Sequence, residues 1–302
     1  MTHTTWRIGD ITITKLVEKE MTTAAGGERS ALPDAWPEAI LEMPWLIPHF
    51  ANAEGHLHMS IHALLVQTPQ ARLIVDTCIG NDKPRQVPAW DRLATDFLGD
   101  LERVGWARDS VDGVLCTHLH IDHVGWNTML VDGRWTPTFP RARYYMARAE
   151  FAHWASELDG VDLTAGLAPA AIKMMDTRAV FSDSVKPIMD AGLAELVELD
   201  AAITPGVRLM PTLGHTPGHV SVVIESKGER AVITGDMMHH PCQIGRPDWS
   251  AAFDFDAQAS KATRRSFFEM FADTPTLIIG THFAGPTAGR LVRDGHGYRL
   301  EA

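Results

Sequence analysis

Thr117-His118-Leu119-His120-Ile121-Asp122-His123 follows directly on an apolar run at residues 111–116. Four side chains able to bind a transition metal fall within six residues. Imidazole and carboxylate are ligands suited to zinc, iron, manganese or nickel. In an extended segment residues i and i+2 face the same way, so His118 and His120 can grip one ion. Asp122 and His123 come where the strand bends into a loop or short helix, which turns them to a second position beside the first. The pattern predicts a site for two metals. Chance would produce it in well under about one per cent of chains of this length. A structural metal clip is usually closed and rich in cysteine, and no cysteine ligand accompanies this cluster.

The 302-residue chain is 45% hydrophobic and carries a formal charge of −11. That composition supplies an ample core, and the length suits one large domain or two small ones. A net acidic surface repels polyanions. Arg141 with Arg143 and Arg264 with Arg265 are isolated basic pairs rather than a run, which argues against nucleic acid as a partner. Cys78, Cys116 and Cys242 show no metal or redox spacing and fit a reducing compartment. The N-terminus has neither the basic nor the apolar region of a signal peptide. No apolar stretch is long enough to span a bilayer. A cytoplasmic protein without a membrane partner is the expectation.

Period-two alternation predicts strands at 8–17 and 58–68, with a turn at Pro69-Gln70 leading into 72–76. Leu93, Phe97, Leu101 and Val104 predict a helix over 91–104. A strand at 111–116, the metal loop, a strand at 142–146 and a helix at 147–158 follow. Residues 159–192 read as a helical insert in which Met174 and Met175 are core or pocket lining. Strands at 207–212, 220–226 and 230–234, a helix at 257–271, a strand at 276–279 and a tail complete the chain. The two halves are alike and no linker separates them, so one domain over 1–302 is expected. The stretch 22–55, with Trp36, Leu41, Trp45, Leu46 and Phe50, is too long for an ordinary connection. It reads as a flap bordering the pocket or a dimer arm.

His215, Asp236 and His282 each lie a few residues past the end of a predicted strand, as His118 does. Loops at one edge of a layered sheet concentrate function, so all of them can converge on one rim. Gly214 and Gly218 around His215, Gly235 before Asp236 and Gly280 before His282 let the backbone turn sharply there.

These segments, Gly-His-Thr-Pro-Gly-His at 214–219, Thr-Gly-Asp at 234–236 and Gly-Thr-His-Phe at 280–283, together with the 117–123 loop, resemble the metallo-β-lactamase superfamily in order and spacing. The resemblance runs from Leu64 to Tyr298. The tail, His282-Phe-Ala-Gly-Pro286 and Gly295-His-Gly-Tyr298, is similar to the methyl parathion hydrolase branch, near the quorum-quenching lactonases. The resemblance implies an α/β fold of the αββα sandwich type with two divalent metals. His118, His120 and His215 would hold the first, Asp122, His123 and His282 the second, and Asp236 would bridge them. It also implies that Asp76 supports the metal loop through hydrogen bonds and that His219 is structural. One departure stands out: where lactonases carry a tyrosine three residues after the bridging aspartate, this chain has His239, in Asp236-Met-Met-His-His240. Trp126, Trp135 and Trp249 suggest an aromatic pocket, with Trp126 as a wall and His239 and His240 beside the substrate.

Two divalent ions roughly 3.5–4 Å apart share a water and lower its pKa to about 7 or below. Asp122 and Asp236 would neutralise two of the four positive charges and a hydroxide one more. About one remains to stabilise an oxyanion. His239 could hydrogen-bond that oxyanion or protonate the leaving group. The expected function is hydrolysis of a small neutral carboxylic ester or lactone by a dinuclear metal-bound hydroxide, with zinc first and iron, manganese, cobalt or nickel as alternatives. An organophosphate triester and hydrolytic aromatic dehalogenation are the alternative reactions. An iron-dependent persulfide dioxygenase, an electron-transfer protein and a non-catalytic metal-binding scaffold are the other classes. The partner would be a small-molecule substrate, with a homodimer as an open alternative.

Overall fold

The computed structural model describes residues 3–28, 30–163, 172 and 175–302. The first half of the chain contains β1 (Thr5–Ile8), β2 (Ile11–Thr23), β3 (Leu57–Gln67), β4 (Arg72–Val75), β5 (Gly113–Leu115), a hairpin of β6 (Thr128–Val131) and β7 (Arg134–Pro137), β8 (Arg143–Ala147) and β9 (Ala194–Val197). Apart from the hairpin these form one sheet in the order β1-β2-β3-β4-β5-β8-β9. The second half forms another sheet in sequence order: β10 (Ala202–Thr204), β11 (Val207–Pro211), β12 (Val220–Ser226), β13 (Glu229–Ile233), β14 (Leu277–Ile279), β15 (Ala288–Asp294) and β16 (Gly297–Glu301). The helices include α1 (Pro37–Leu41), α2 (Phe97–Arg103), α3 (Arg148–Ala155) and α4 (Ala257–Phe271).

Alternation along the strands sorts side chains into layers. Leu64 and Val66 of β3 join Val222 and Ile224 of β12, with Ile233 and Ile279, in the core between the sheets. Leu65 faces the other way, with Ile74, Val114 and Tyr144, onto Phe97 and Leu101 of α2 and Trp154 of α3. Val223, Val232 and Ile278 cover the outer face of the second sheet and pack on Phe267, Phe268 and Phe271 of α4. The order of layers is helix, sheet, sheet, helix. Asp256 starts α4 by accepting hydrogen bonds from the amides of Gln258 and Ala259, the usual way to satisfy orphaned N–H groups. Strands β4, β5 and β8 run parallel, as do β13 and β14. Parallel neighbours need crossovers, so their C-terminal ends all open onto one rim.

Several sequence expectations are corrected. The strand expected at 8–17 is two strands, because Gly9 (φ +54°) reverses the chain between β1 and β2. The helix expected over 91–104 begins only at Phe97; the carbonyl of Leu93 instead accepts from Asp82 N, 3.0 Å away, and closes a loop. The helix expected at 147–158 is α-helical only to Ala155 and ends in a 3-10 turn, Ser156–Asp159. The tail holds β15 and β16, and β6, β7, β9 and β10 are strands where none is expected. Of the insert, residues 164–171, 173 and 174, with Met174, lie outside the described residues. The rest includes helical turns from Thr177 to Asp190.

Residues 24–28 and 30–51 fold back onto their own chain. Leu32, Ile40, Leu46 and Phe50 are buried with the outer face of the second sheet, Trp45 packs beside them, and Trp36 and Leu41 remain exposed. Among the described residues no helix is long and apolar enough to cross a membrane.

Candidate metal centre

The ligand candidates stand at the C-terminal ends of four strands. His118, His120, Asp122 and His123 follow β5, His215 follows β11, Asp236 follows β13 in the 3-10 turn Gly235–Met237, and His282 follows β14. Three ring nitrogens meet at one point. His118 Nε2 lies 2.9 Å from His120 Nδ1, His215 Nε2 lies 2.9 Å from His120 Nδ1, and His215 Nε2 lies 3.2 Å from His118 Nε2. Beside them Asp236 Oδ2 lies 3.2 Å from His123 Nε2 and 3.1 Å from His282 Nε2. Asp122 completes this second group, 3.5 Å from His123 Nε2 and 3.6 Å from His282 Nε2. The same Asp236 oxygen is 3.8 Å from His118 Nε2 and 3.7 Å from His215 Nε2. It therefore sits between the two groups.

This donor set fits metal ions. Three imidazole nitrogens cannot all hydrogen-bond one another, since each is either donor or acceptor. A cation held at about 2.0–2.1 Å by each nitrogen resolves the conflict. The second nitrogens orient the rings, as outer partners do at metal sites. His118 Nδ1 faces Thr117 Oγ1 at 3.0 Å, and His123 Nδ1 faces Asp76 Oδ2 at 2.9 Å. His215 Nδ1 faces Asp254 Oδ1 at 2.9 Å, and His282 Nδ1 donates to Ser60 O at 3.0 Å. Asp76 also accepts from the amide and hydroxyl of Thr117, both at 2.8 Å. His219 accepts the Asp236 amide proton at Nε2 over 2.8 Å, while Nδ1 faces Thr212 O at 3.0 Å.

Burial and neighbouring imidazoles hold His118, His120 and His215 well below the usual histidine range, in the neutral form a metal requires. For His123 and His282 burial acts the same way, but Asp236 and the other carboxylates outweigh it and raise both. Burial would raise Asp236, yet His123, His282 and His239 keep it well below the usual carboxylate range.

Other expected pocket residues fall differently. His239 lines the cavity above Asp236, with Nε2 3.2 Å from Asp236 Oδ2, and its two ring nitrogens have no hydrogen-bond partner. It also falls within ligand range of His215 and Asp236, a proximity that the spacing of the Asp236–His240 segment did not reveal. His240 points away from the cavity: Nε2 donates to Phe50 O at 2.7 Å, and Nδ1 accepts from Cys242 N. Trp126 is not a pocket wall. The 3-10 turn Gly125–Asn127 rotates it into the core, where it stacks on Phe97 and donates to Glu18 Oε1 at 2.7 Å. Trp135 covers the Lys83 ammonium instead. Trp249 packs beside the α4 core, its carbonyl accepting from Gln243 and Arg264. The cavity above these candidate ligands is open to solvent and has apolar walls from Met21, Met59, Ile61, Trp90, Met175 and Phe253.

Three supporting acids had no signal in the sequence, because each is a single residue whose partners lie far along the chain. Asp254 orients His215. Glu150 of α3 accepts from Leu119 N, Trp154 Nε1, Thr216 Oγ1 and Gly218 N, and so ties the metal loop to the His215 loop. Glu18 is the extra residue of a bulge in β2. Bulges re-aim side chains, and here the carboxylate accepts from the Ile79 and Gly80 amides as well as Trp126.

The family model described as the metallo-beta-lactamase superfamily matches residues 58–282. The chain belongs to that superfamily. Among individual proteins it is similar to an N-acyl homoserine lactonase of Bacillus thuringiensis, 26% identical over an alignment of 189 positions that covers 59% of this chain and 63% of the relative. The Bacillus lactonases it matches are spanned over only 40% to 63% of their own length. The solved structure of AbOPH, a hydrolase of the beta lactamase superfamily, superposes with a TM-score of 0.80 at 26% identity, covering 99% of this chain and 97% of that one. AidC, a dizinc quorum-quenching lactonase solved with the product N-hexnoyl-L-homoserine, shares the fold with a TM-score of 0.76 at 19% identity, over 99% and 96% of the two chains.

Proposed function

We propose that the protein is a metal-dependent hydrolase that opens a small neutral lactone or cleaves a carboxylic ester carrying an apolar group. The observation that carries this reading is the Asp236 carboxylate standing between two histidine groups at the floor of an apolar cavity. His118, His120 and His215 would hold one divalent ion, and Asp122, His123 and His282 the other, with zinc the first choice for a donor set of nitrogen and carboxylate oxygen. When bound, such a pair supplies a water of lowered pKa and a positive field for an oxyanion. Asp122, the least buried of the ligands, faces the cavity. Its carboxylate is placed to take a proton and pass it to the departing alkoxide. Among the described lining residues there is no lysine or arginine, so nothing there selects an anionic substrate. The lactonase and hydrolase relatives support the same chemistry.

The test is a panel of metal-loaded protein against N-acyl homoserine lactones, simple γ-lactones, aryl esters, phosphotriesters and an activated aryl halide. Ring opening or ester cleavage faster than the other reactions is expected. Bound metal without turnover on any ester or lactone contradicts the reading.

His239 would polarise the substrate carbonyl from the opposite side. Such a contact acts in the transition state, so His239→Ala should lower kcat far more than it changes KM. Loss of one donor costs about 10²–10³ in kcat. The variant should keep both metals and His239→Tyr should recover part of the rate. Loss of a metal from His239→Ala would make His239 a ligand instead.

A further inference from the structure

Away from the metals lies a buried charge cluster. Lys83, Arg85 and Asp183 are each at most 6% exposed, and none lines the cavity. Arg85 grips Asp183 with two parallel bonds, Nη1 to Oδ2 at 2.6 Å and Nη2 to Oδ1 at 2.9 Å. Lys83 Nζ donates to Thr128 Oγ1 at 2.8 Å and lies 3.4 Å from both Asp183 O and Asp183 Oδ1. Its ammonium sits 3.9 Å from the centre of the Trp135 ring. Thr128 Oγ1 donates to Asp183 O at 2.5 Å. Buried charges are costly unless paired, and bidentate arginine–carboxylate pairs fix geometry as well as energy.

These contacts join three segments distant in the sequence. The first is the loop 82–93, pinned at its base by Asp82 N to Leu93 O at 3.0 Å and Arg92 N to Lys83 O at 2.8 Å. Asp82 and Arg92 hold left-handed backbones at φ +64° and +44°, strain that the surroundings must hold in place. The second is the β6–β7 hairpin. The third is the helical segment after residue 175, where a π-helical turn, Phe181–Val185, presents Asp183. Gln86 Nε2 adds a bond to Asp176 Oδ1 at 3.2 Å. The loop carries Trp90, and Met175 lies just before the left-handed Asp176 that precedes the helical turn Thr177–Val180; both side chains line the cavity above the candidate ligands.

We propose that Lys83, Arg85 and Asp183 form a clasp that sets the spacing of the Trp90–Met175 wall, and through it the length of apolar chain the substrate may carry. The three are positioning residues acting through that wall. The inference rests on the hydrolase reading for its substrate and on geometry alone for the clasp. Each methylene held against such a wall is worth ~4-fold in binding. A loosened wall therefore costs a long-chain substrate much more than a short one.

The cluster has two cations and one anion, so Arg85→Met leaves a balanced Lys83–Asp183 pair and should fold. Two measurements on the full-length, metal-loaded protein test the clasp. In hydrogen–deuterium exchange, amides of 82–93 and 177–190 should exchange at least ~10-fold faster in Arg85→Met than in wild type, with the metal loop unchanged. In kinetics, the ratio of kcat/KM for a ten-carbon acyl lactone to that for a four-carbon one should fall ~10-fold or more, with the four-carbon value and metal content preserved. Arg85→Lys, which keeps the charge, should restore part of the ratio. Unchanged exchange would overturn the clasp. Faster exchange with an unchanged ratio would overturn its control of chain length. Wild type turning over neither these lactones nor the esters of the panel would overturn the hydrolase reading, and the exchange result would still decide the clasp. Should Arg85→Met fail to fold, Gln86→Ala at the exposed edge of the same contact is read in the same two measurements, with a smaller shift in the same direction.

Discussion

Asp236→Ala should leave a folded protein that no longer holds two ions per chain and turns over substrate at least about 10³-fold more slowly. The reason lies in one oxygen. Asp236 Oδ2 is within 3.8 Å of His118, His215, His123, His239 and His282. Among the described residues no other carboxylate lies this close to histidines of both groups. Removing the carboxylate takes a donor from each position and leaves the imidazoles without their nearest negative charge. Loss of a single transition-state donor already costs about 10²–10³; a shared ligand removes charge stabilisation and positioning together. Elemental analysis and steady-state kinetics read the two effects. Two ions retained with a rate within tenfold of wild type would show that Asp236 is not the bridge.

The largest effect on stability is expected from Gly125→Ala. Gly125 follows the metal loop, and its amide donates to Cys78 O over 2.7 Å. A Cβ there would stand 1.8 Å from the carbonyl oxygen of Ile79 and 2.0 Å from its carbon. Those are backbone atoms, not the end of a flexible side chain, so relief requires the two loops to separate. Separation would also pull Trp126 from Glu18 and Phe97, and His123 from Asp76. Substitutions that overpack a core at such a point belong with those costing more than about 4 kcal/mol. For a chain of this size that corresponds to a fall of ~8 °C or more in Tm. Calorimetry of wild type and variant in the same metal buffer measures it. A drop under ~2 °C would mean that the two loops give way easily.

The parts of this structure legible in the sequence are those whose signal is local. The 117–123 loop compresses four ligands into one turn. His215, Asp236 and His282 stand close to glycines at strand ends, and the helix expected at 257–271 is α4. The illegible parts depend on distance. Asp254, Glu150, Glu18 and the Lys83–Arg85–Asp183 cluster are ordinary charged residues until folding brings together segments up to 108 residues apart, as for Glu18 and Trp126. Trp126 shows the reverse error. Sequence adjacency to the metal loop suggested a pocket wall, but one 3-10 turn rotates the ring into the core. The wall is built instead by Met175, one of the two methionines expected as core or pocket lining, and by Trp90, whose placement depends on tertiary contacts that no periodicity encodes. The two strands of the tail were missed because Gly295 and the residues around it break the alternation between β15 and β16.

We propose that paired ions held by these seven side chains drive hydrolysis. Stripping the protein with a chelator and titrating zinc back, with bound metal and lactone opening followed in the same samples, tests this. Activity should be absent in the stripped protein and rise until two ions per chain are bound, with little beyond. Full activity at one ion per chain, or two ions bound with no ester or lactone hydrolysed, would contradict it.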